Sequence, residues 1–490
     1  MRLLQTFAVS GLVAMGTTAL AQTDITVAIQ LEPPNLDPTG GAAQAIDSVL
    51  YSNVFEGLTR FMADGSVVAG LAESWDISED GLIYTFTLRD GITFHDGTTM
   101  DAEDVKFSLD RARAEDSTNA QKGLFADIAD VAVIDPLTVQ VTLAQENGSF
   151  LFNMAWGDAV IVAPESIETI ASNPIGTGAF TFTDWVQGDR LELTRNDAYW
   201  GDAPALETAT FRFISDPTAA FAAVMAEDVD AFVGFPAPEN LPQFEADPRF
   251  QVLVGNTEGE TILSTNNQMP PFDNVLVREA VAHAIDRSAI IDGAMFGYGA
   301  PIGTHFAPHN PDYVDLIENS QYDPNLARAL LAEAGFADGF TTTLKLPPPS
   351  YARRGGEIIA AQLREVGITA EISNLEWAQW IEEVFTNKDF GLSIVSHTEP
   401  MDIGIYANPD YYFQYDNIVF QAVMEKLNAT TDPAMRSELM AAAQTIISED
   451  YVNGYLFQLA VPTVAKAELS GLWLDQPTAA VDLTGVSWSE

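Results

Sequence analysis

Polarity alternates along Asp24-Ile-Thr-Val-Ala-Ile29, which predicts a first strand. The chain then enters Glu32-Pro-Pro-Asn-Leu-Asp-Pro38, where prolines fix φ and remove donors, so helix is excluded. Residues 82–94 read as a hairpin: Tyr84, Phe86 and Leu88 share one face, Arg89-Asp90-Gly91 turns, and Ile92-Thr-Phe94 returns. Asp101 is placed to cap a helix, with Asp104 three residues on as its capping-box partner. Val131–Ile134 and Leu137–Leu143 flank Asp135-Pro136 as a second hairpin, and Leu191–Thr194 and Thr210–Ile214 are further strands.

The second half is patterned for helices. Val281, Ala284, Ile285 and Ala289 form one apolar helical stripe. Asp323-Pro324 supplies a cap and a first-turn proline ahead of Leu326, Leu330 and Leu331, with Gly335 as the stop. Ile358, Ile359, Leu363 and Val366 form another stripe ended by Gly367, and Asp432-Pro433 repeats the cap-plus-proline device before Met435, Leu439, Ala442 and Ile446. Strands mixed with helices at irregular spacing predict an α/β class with no repeat array. At 490 residues, two or more lobes are expected.

Charge narrows the choice of partners. Asp plus Glu number 70 against 22 Lys plus Arg, a net charge of −48. Such a field repels phosphate backbones and anionic lipid, so nucleic acid and direct membrane insertion are not expected. Attraction of a cationic ligand is one reading of this acidity, and solubility is the plainer one. Arg2 precedes an apolar run from Phe7 to Leu20 and the A-x-A pattern Ala19-Leu20-Ala21, which reads as a secretory signal peptide cleaved after Ala21. No cysteine is present, so disulfides and an N-terminal lipid-modified Cys are both ruled out. Export without an anchor points to a Gram-negative periplasm.

Catalytic motifs are missing. H-E-x-x-H, G-x-S-x-G, the P-loop and G-x-G-x-x-G do not occur, and Gly391-Leu-Ser-Ile-Val395 lacks the second glycine of a nucleophile elbow. His305 and His309 are four apart, a metal-ligand spacing on a helix, but Pro301, Pro308 and Pro311 make this segment loop. His283 reads as a structural histidine within the Val281–Ala289 helix. No cofactor, metal or enzyme activity is expected, and a secreted acidic hydrolase is the rival of another class.

Three ordered blocks carry a resemblance. The first runs through Asn53-Val-Phe-Glu-Gly-Leu58, Leu71-Ala-Glu-Ser-Trp75, Ser78-Glu-Asp-Gly-Leu82, Tyr84-Thr-Phe-Thr-Leu-Arg-Asp-Gly91, Phe94-His-Asp-Gly-Thr98 and Ala102-Glu-Asp-Val105. The second is Pro174-Ile-Gly-Thr-Gly178 with Arg195-Asn196 and Tyr199-Trp200; the third is Pro271-Phe-Asp-Asn274 with Val277-Arg278 and Ala282-His-Ala-Ile-Asp-Arg287. Together they resemble the family 5 extracellular solute-binding proteins, the dipeptide-, oligopeptide- and nickel-type components of ABC importers. The resemblance implies a two-lobed periplasmic-binding-protein fold with an extra inserted subdomain in lobe I. Domain Ia would be 24–50, 175–260 and 465–490, the insert 51–174, and domain II 261–464, with crossings near Glu260–Ser264 and Leu459–Val464. It also implies a monomer that binds a small-molecule or peptide ligand and docks on inner-membrane ABC permease subunits. Arg278 and Arg287 read as surface or ion-pair residues.

The ligand site would lie between the lobes. Peptide binders of the family usually carry Trp-x-x-Asp-x-x-Asp-Pro in this region, the first Asp pairing with the peptide ammonium. Here the segment is Ser396-His-Thr-Glu-Pro-Met-Asp402: Ser396 stands at the Trp, Glu399 at the first Asp, Asp402 at the second, and Ile403 replaces the Pro. The acid is kept, one methylene longer, and the aromatic wall is lost. The full candidate set is Leu31, Glu32, Leu263, Ser264, Asn266, Ser396, His397, Glu399, Asp402, Tyr406, Phe457 and Gln458. The expected ligand is peptide-like or another small amine-bearing solute, with a metal chelate, haem, oligosaccharide or opine-like conjugate as alternatives in the same fold.

Overall fold

The computed structural model describes residues 22–40, 44–399 and 401–489. The expected signal peptide lies outside the described residues. The first strand, Asp24–Ile29, sits inside a seven-stranded sheet and pairs in parallel with Thr208–Phe213 and with Ala231–Phe232. Arg190–Arg195 and Phe180–Val186 extend that sheet on one side, Thr463–Lys466 and Phe250–Leu253 on the other. Ile25, Val27 and Ile29 are buried on one face with Phe180, Leu191 and Phe211. A separate four-stranded antiparallel sheet has the order Ala72–Ile77, Ile83–Leu88, Thr138–Leu143, Ile128–Asp135. Its buried face, with Tyr84, Phe86, Val139 and Val141, packs on helix Ala102–Arg113 through Val105 and Leu109.

A third sheet builds the other half. Its six strands run in the order Ala300–Pro301, Gly454–Gln458, Glu260–Thr265, Leu392–His397, Phe340–Leu346, Ile368–Asn374. Chain order explains the two halves. Residues 254–259 lead from the edge of the seven-stranded sheet into the six-stranded one, and residues 459–462 lead back. The molecule is therefore a two-lobed α/β protein. Lobe I carries the seven- and four-stranded sheets and lobe II the six-stranded sheet.

Local signals in the sequence hold at the caps. Asp101 accepts from Glu103 N while Asp104 accepts from Asp101 N. Asp323 and Asp432 cap the helices that begin at Pro324 and Pro433. Two expectations fail. Residues 83–88 do not fold back on 92–94; their partners are Ala72–Ile77 and Thr138–Leu143, so long-range pairing displaces the local hairpin. The Val281–Ala289 stripe is two helices, Val275–His283 and Arg287–Met295, because Asp286 accepts from Ala289 N and starts a new one. His283 thus ends a helix, and its Nδ1 lies 2.6 Å from Gln321 O.

The family-like blocks meet in space. Glu56 is buried and accepts from Thr177 Oγ1, Tyr199 Oη and Trp200 Nε1 at 2.8–2.9 Å. Gly176 and Gly178 run against the backbone of residues 53–54, where an added Cβ would fall 2.0 Å from Val54 O and 2.4 Å from Asn53 O. Arg287 is buried, not exposed: it donates to Tyr455 O, Ser320 O and Ser320 Oγ, and burial lowers its pKa to about 10. Arg278 likewise donates to Phe272 O, Asp450 O and Tyr451 O.

Candidate ligand-binding site

A cavity of about 250 Å³ opens between the lobes. Lobe I supplies Pro38, Ile46, Asp47, the turn Trp156-Gly157-Asp158 and Thr478, while lobe II supplies Thr398 and Glu399. Asp47 lies on the short helix Gln44–Leu50, and Asp158 on the turn Gly157–Ala159. Gly157 lets the two approach, since an added Cβ there would sit 2.3 Å from Asp47 Oδ1. Burial, and then the charge of Asp158, push Asp47 up to about 8; burial raises Asp158 to about 6. Asp47 Oδ1 and Trp156 Nε1 are shut off from solvent without a hydrogen-bond partner among the described residues.

Glu399 reaches this cavity from a loop fixed at both ends. Strand Leu392–His397 leads into it, and a short helix, Asp402–Ala407, leads out after Met401 turns the chain at φ 57°. His397 and Asp402 are bonded to each other, Nδ1 to Oδ2, at 3.1 Å. His305 Nε2 lies 2.6 Å from the other carboxylate oxygen, Oδ1. Burial alone would raise the Asp402 carboxyl, but the His305 and His397 imidazoles overcome it and hold the carboxyl well below the usual carboxylate range. An ionised Asp402 only accepts, so both imidazoles donate to it. Burial lowers His305, and its remaining nitrogen, Nδ1, lies 3.1 Å from the Tyr406 hydroxyl. On the His397 side the chain of contacts continues to Tyr412 Oη at 3.2 Å and on to Ser264 Oγ at 2.6 Å.

His305, His397 and Asp402 also bring one ligand atom each within 4.8 Å of one another, the composition of a transition-metal site. All four ring nitrogens already have hydrogen-bond partners, so the set is complete as a structural network. His309, paired with His305 in the sequence, points elsewhere: its Nε2 is 2.7 Å from Glu258 Oε1 on the crossing segment. Glu260, at the end of that crossing, is buried with Oε2 unpartnered among the described residues, and burial followed by the charges of Glu258 and Asp402 raises its pKa.

The candidate residues separate clearly by place. Glu399 lines the cavity, and His397, Asp402, Tyr406 and Ser264 form the network beneath its loop. Ser396 Oγ is buried without a partner among the described residues. Gln458, just ahead of the second crossing, donates to Thr257 O on the first, and Asn266 Nδ2 donates to Lys388 O. Leu263 and Phe457 are packed into the lobe II core. Leu31 is 65% exposed, and Glu32 accepts from Trp185 Nε1 and Gly188 N within lobe I, so neither is brought to the cavity. Sequence reasoning missed Asp47, Trp156 and Asp158. They carry no motif, and only the fold brings residues 47 and 158 together.

Two lobes joined by two crossings, with a cavity between them, define a solute-binding protein of the periplasmic type. The chain belongs to the bacterial extracellular solute-binding proteins of family 5, whose sequence model ("family 5 Middle") matches residues 66–430; these are the substrate-binding components of ABC importers. It is 31% identical to the glutathione-binding protein GsiB of Escherichia coli K12, over 95% of this chain and 96% of that protein. Among solved structures, HbpA2 from Haemophilus parasuis superposes with a TM-score of 0.86 at 25% identity, covering 95% of this chain and all (100%) of that one. The periplasmic protein DppA from Helicobacter pylori, in complex with the peptide STSA, superposes at 0.77 and 23% identity over 96% of this chain and 99% of that one. No helix among the described residues is long and apolar enough to cross a membrane.

Proposed function

We propose that this chain captures a small amine-bearing solute, peptide-like in kind, in the inter-lobe cavity and delivers it to inner-membrane ABC permease subunits. The observation that carries the reading is Glu399, presented by lobe II to a cavity otherwise walled mainly by lobe I. A carboxylate on a pinned loop suits an ammonium that leaves water on closure. Ligand binding then shifts an open–closed equilibrium by the ligand's differential affinity for the closed form. The two crossings act as the hinge, and residues 24–50, 175–260 and 465–490 move as one domain with the 51–174 insert against 261–464.

The protein works as an exported monomer, released after Ala21, and binds without turning over its ligand. Glutathione and short peptides are the first solutes to try, since the named relatives bind these. A metal-chelate reading draws on the His305–His397–Asp402 set and is weaker, because that set is already hydrogen-bonded. Native mass spectrometry of gently purified protein tests the proposal. A co-purified amine of low mass, released on unfolding, supports it. Covalent turnover of a candidate solute by pure protein, or small-angle scattering that shows no compaction with any solute that binds, overturns it.

A further inference from the structure

The lining of the cavity is one-sided in charge. Asp47, Asp158 and Glu399 face it, and among the described residues no Lys, Arg or His does. Arg111, near the Pro38 wall, is already held by Asp37 at 3.1 Å and by Thr39. Asp158 is 7% exposed; its backbone O accepts from Asn119 Nδ2, and backbone N–H groups, its own and that of Gln121, lie against its carboxylate. Asp47 and Trp156 line the cavity, while Asp47 Oδ1 and Trp156 Nε1 are themselves sealed from its open space and unpartnered among the described residues.

We infer that the solute selected here is net cationic, its ammonium or guanidinium group seated on the Asp47–Asp158 pair of lobe I while Glu399 of lobe II closes over it. This inference rests on the proposed reading of the cavity as the ligand site. It differs from recognition of an amine by the lobe II acid alone, because the main anchor is on lobe I. The free acidic pair holds a proton near neutral pH, since burial raises both carboxyls and the charge of Asp158 raises Asp47 further. A ligand cation replaces that proton and restores the charge balance. The described groups facing Asp47 are Asp158 on the adjoining turn, Tyr51 just past the end of its own helix and Glu399 across the gap, none of them basic. A ligand carboxylate would meet three acids and, among the described lining residues, no cation, so solutes of net negative charge are disfavoured.

Titration calorimetry on the full mature protein tests this with three probes: spermidine, an arginine-containing dipeptide with an amidated C-terminus, and glutathione. The cationic probes are expected to bind at least about tenfold more tightly than glutathione. Their affinity should rise by about tenfold from pH 6 to pH 8, with a proton released that is read from buffers of different ionisation enthalpy. Asp47→Asn and Asp158→Asn mimic the protonated acids, so they should fold, yet each should weaken the cationic probes by at least about tenfold. Glutathione binding more tightly than either cationic probe overturns the inference, as do cationic affinities unchanged in both variants. Glutathione binding more tightly than both cationic probes and weakened by Glu399→Gln would sink the cationic preference and keep the cavity as ligand site. Failure of all three probes, with no co-purifying solute, sinks both.

Discussion

Arg436 of lobe II donates to Ser149 Oγ of lobe I at 3.1 Å. The same guanidinium also donates to Leu427 O and Thr430 O, ending the loop between two lobe II helices. Beside it Gly148 N donates to Asn428 O at 2.6 Å, and an added Cβ on Gly148 would strike Thr430 O. These contacts join the lobes through residues outside the two crossings, so opening about the crossings is expected to break them. Arg436→Ala should therefore favour the open form. Ligand affinity should fall by about 3–10-fold, the worth of roughly 1 kcal/mol. Calorimetry measures the loss, and small-angle scattering should show a larger mean radius in the ligand-free variant. Unchanged affinity would mean that the contact follows closure without stabilising it.

The Asp402 network predicts an acid-side effect. Asp402 is held below its unfolded value, so it contributes stability that is complete above about pH 4 and is lost as pH falls through the acid range. Asp402→Asn removes that contribution and leaves His305 and His397 short of an acceptor. Stability at pH 7 should drop by about 2–4 kcal/mol, and the loss should shrink toward pH 3. Urea unfolding at several pH values checks both the size and the slope.

Glu260 acts in the opposite sense. Its folded pKa is raised, so the folded state binds the extra proton, and stability declines as pH rises above the unfolded value near 4.5. Glu260→Gln keeps the shape and removes the titration. The variant should unfold at a higher temperature than the parent at pH 8, by several degrees, and show little difference at pH 4. Calorimetric melting across that range measures it. Equal melting temperatures at pH 8 would show that Glu260 is ionised without cost.

Gly176 is required for space. Its Cβ position lies 2.0 Å from Val54 O and 2.8 Å from the Phe55 ring. Gly176→Ala should cost about 2 kcal/mol or more, because backbone rather than a flexible side chain blocks the added atom. Chemical denaturation tests this, with Gly123→Ala as a control, since nothing lies within 4 Å of its added Cβ.

How much of this was legible in the chain depends on range. Caps at Asp101, Asp323 and Asp432 were readable because a cap is a bond between residues two or three apart. The hairpin expected at 82–94 was not, since strand 83–88 pairs with residues some 50 positions away. Glu399 was legible because its loop keeps a family pattern, and the fold carries it to the cavity. Its supporting partner His305 lies almost a hundred positions from Asp402, and nothing local marked their contact.

The sequence by itself determined the α/β class, the caps, the absence of thiol chemistry and the family, because these rest on local spacing and ordered motifs. It also fixed an acidic balance without saying where the acids gather. The tertiary structure alone decided that Asp47, Asp158 and Glu399 face one cavity with no base among them. It also decided that Arg278 and Arg287 serve buried carbonyls rather than the surface. The physical reason is burial. An acid or a guanidinium has its chemistry set by the water it loses and the partners it meets, and both are assigned only when distant segments close around it.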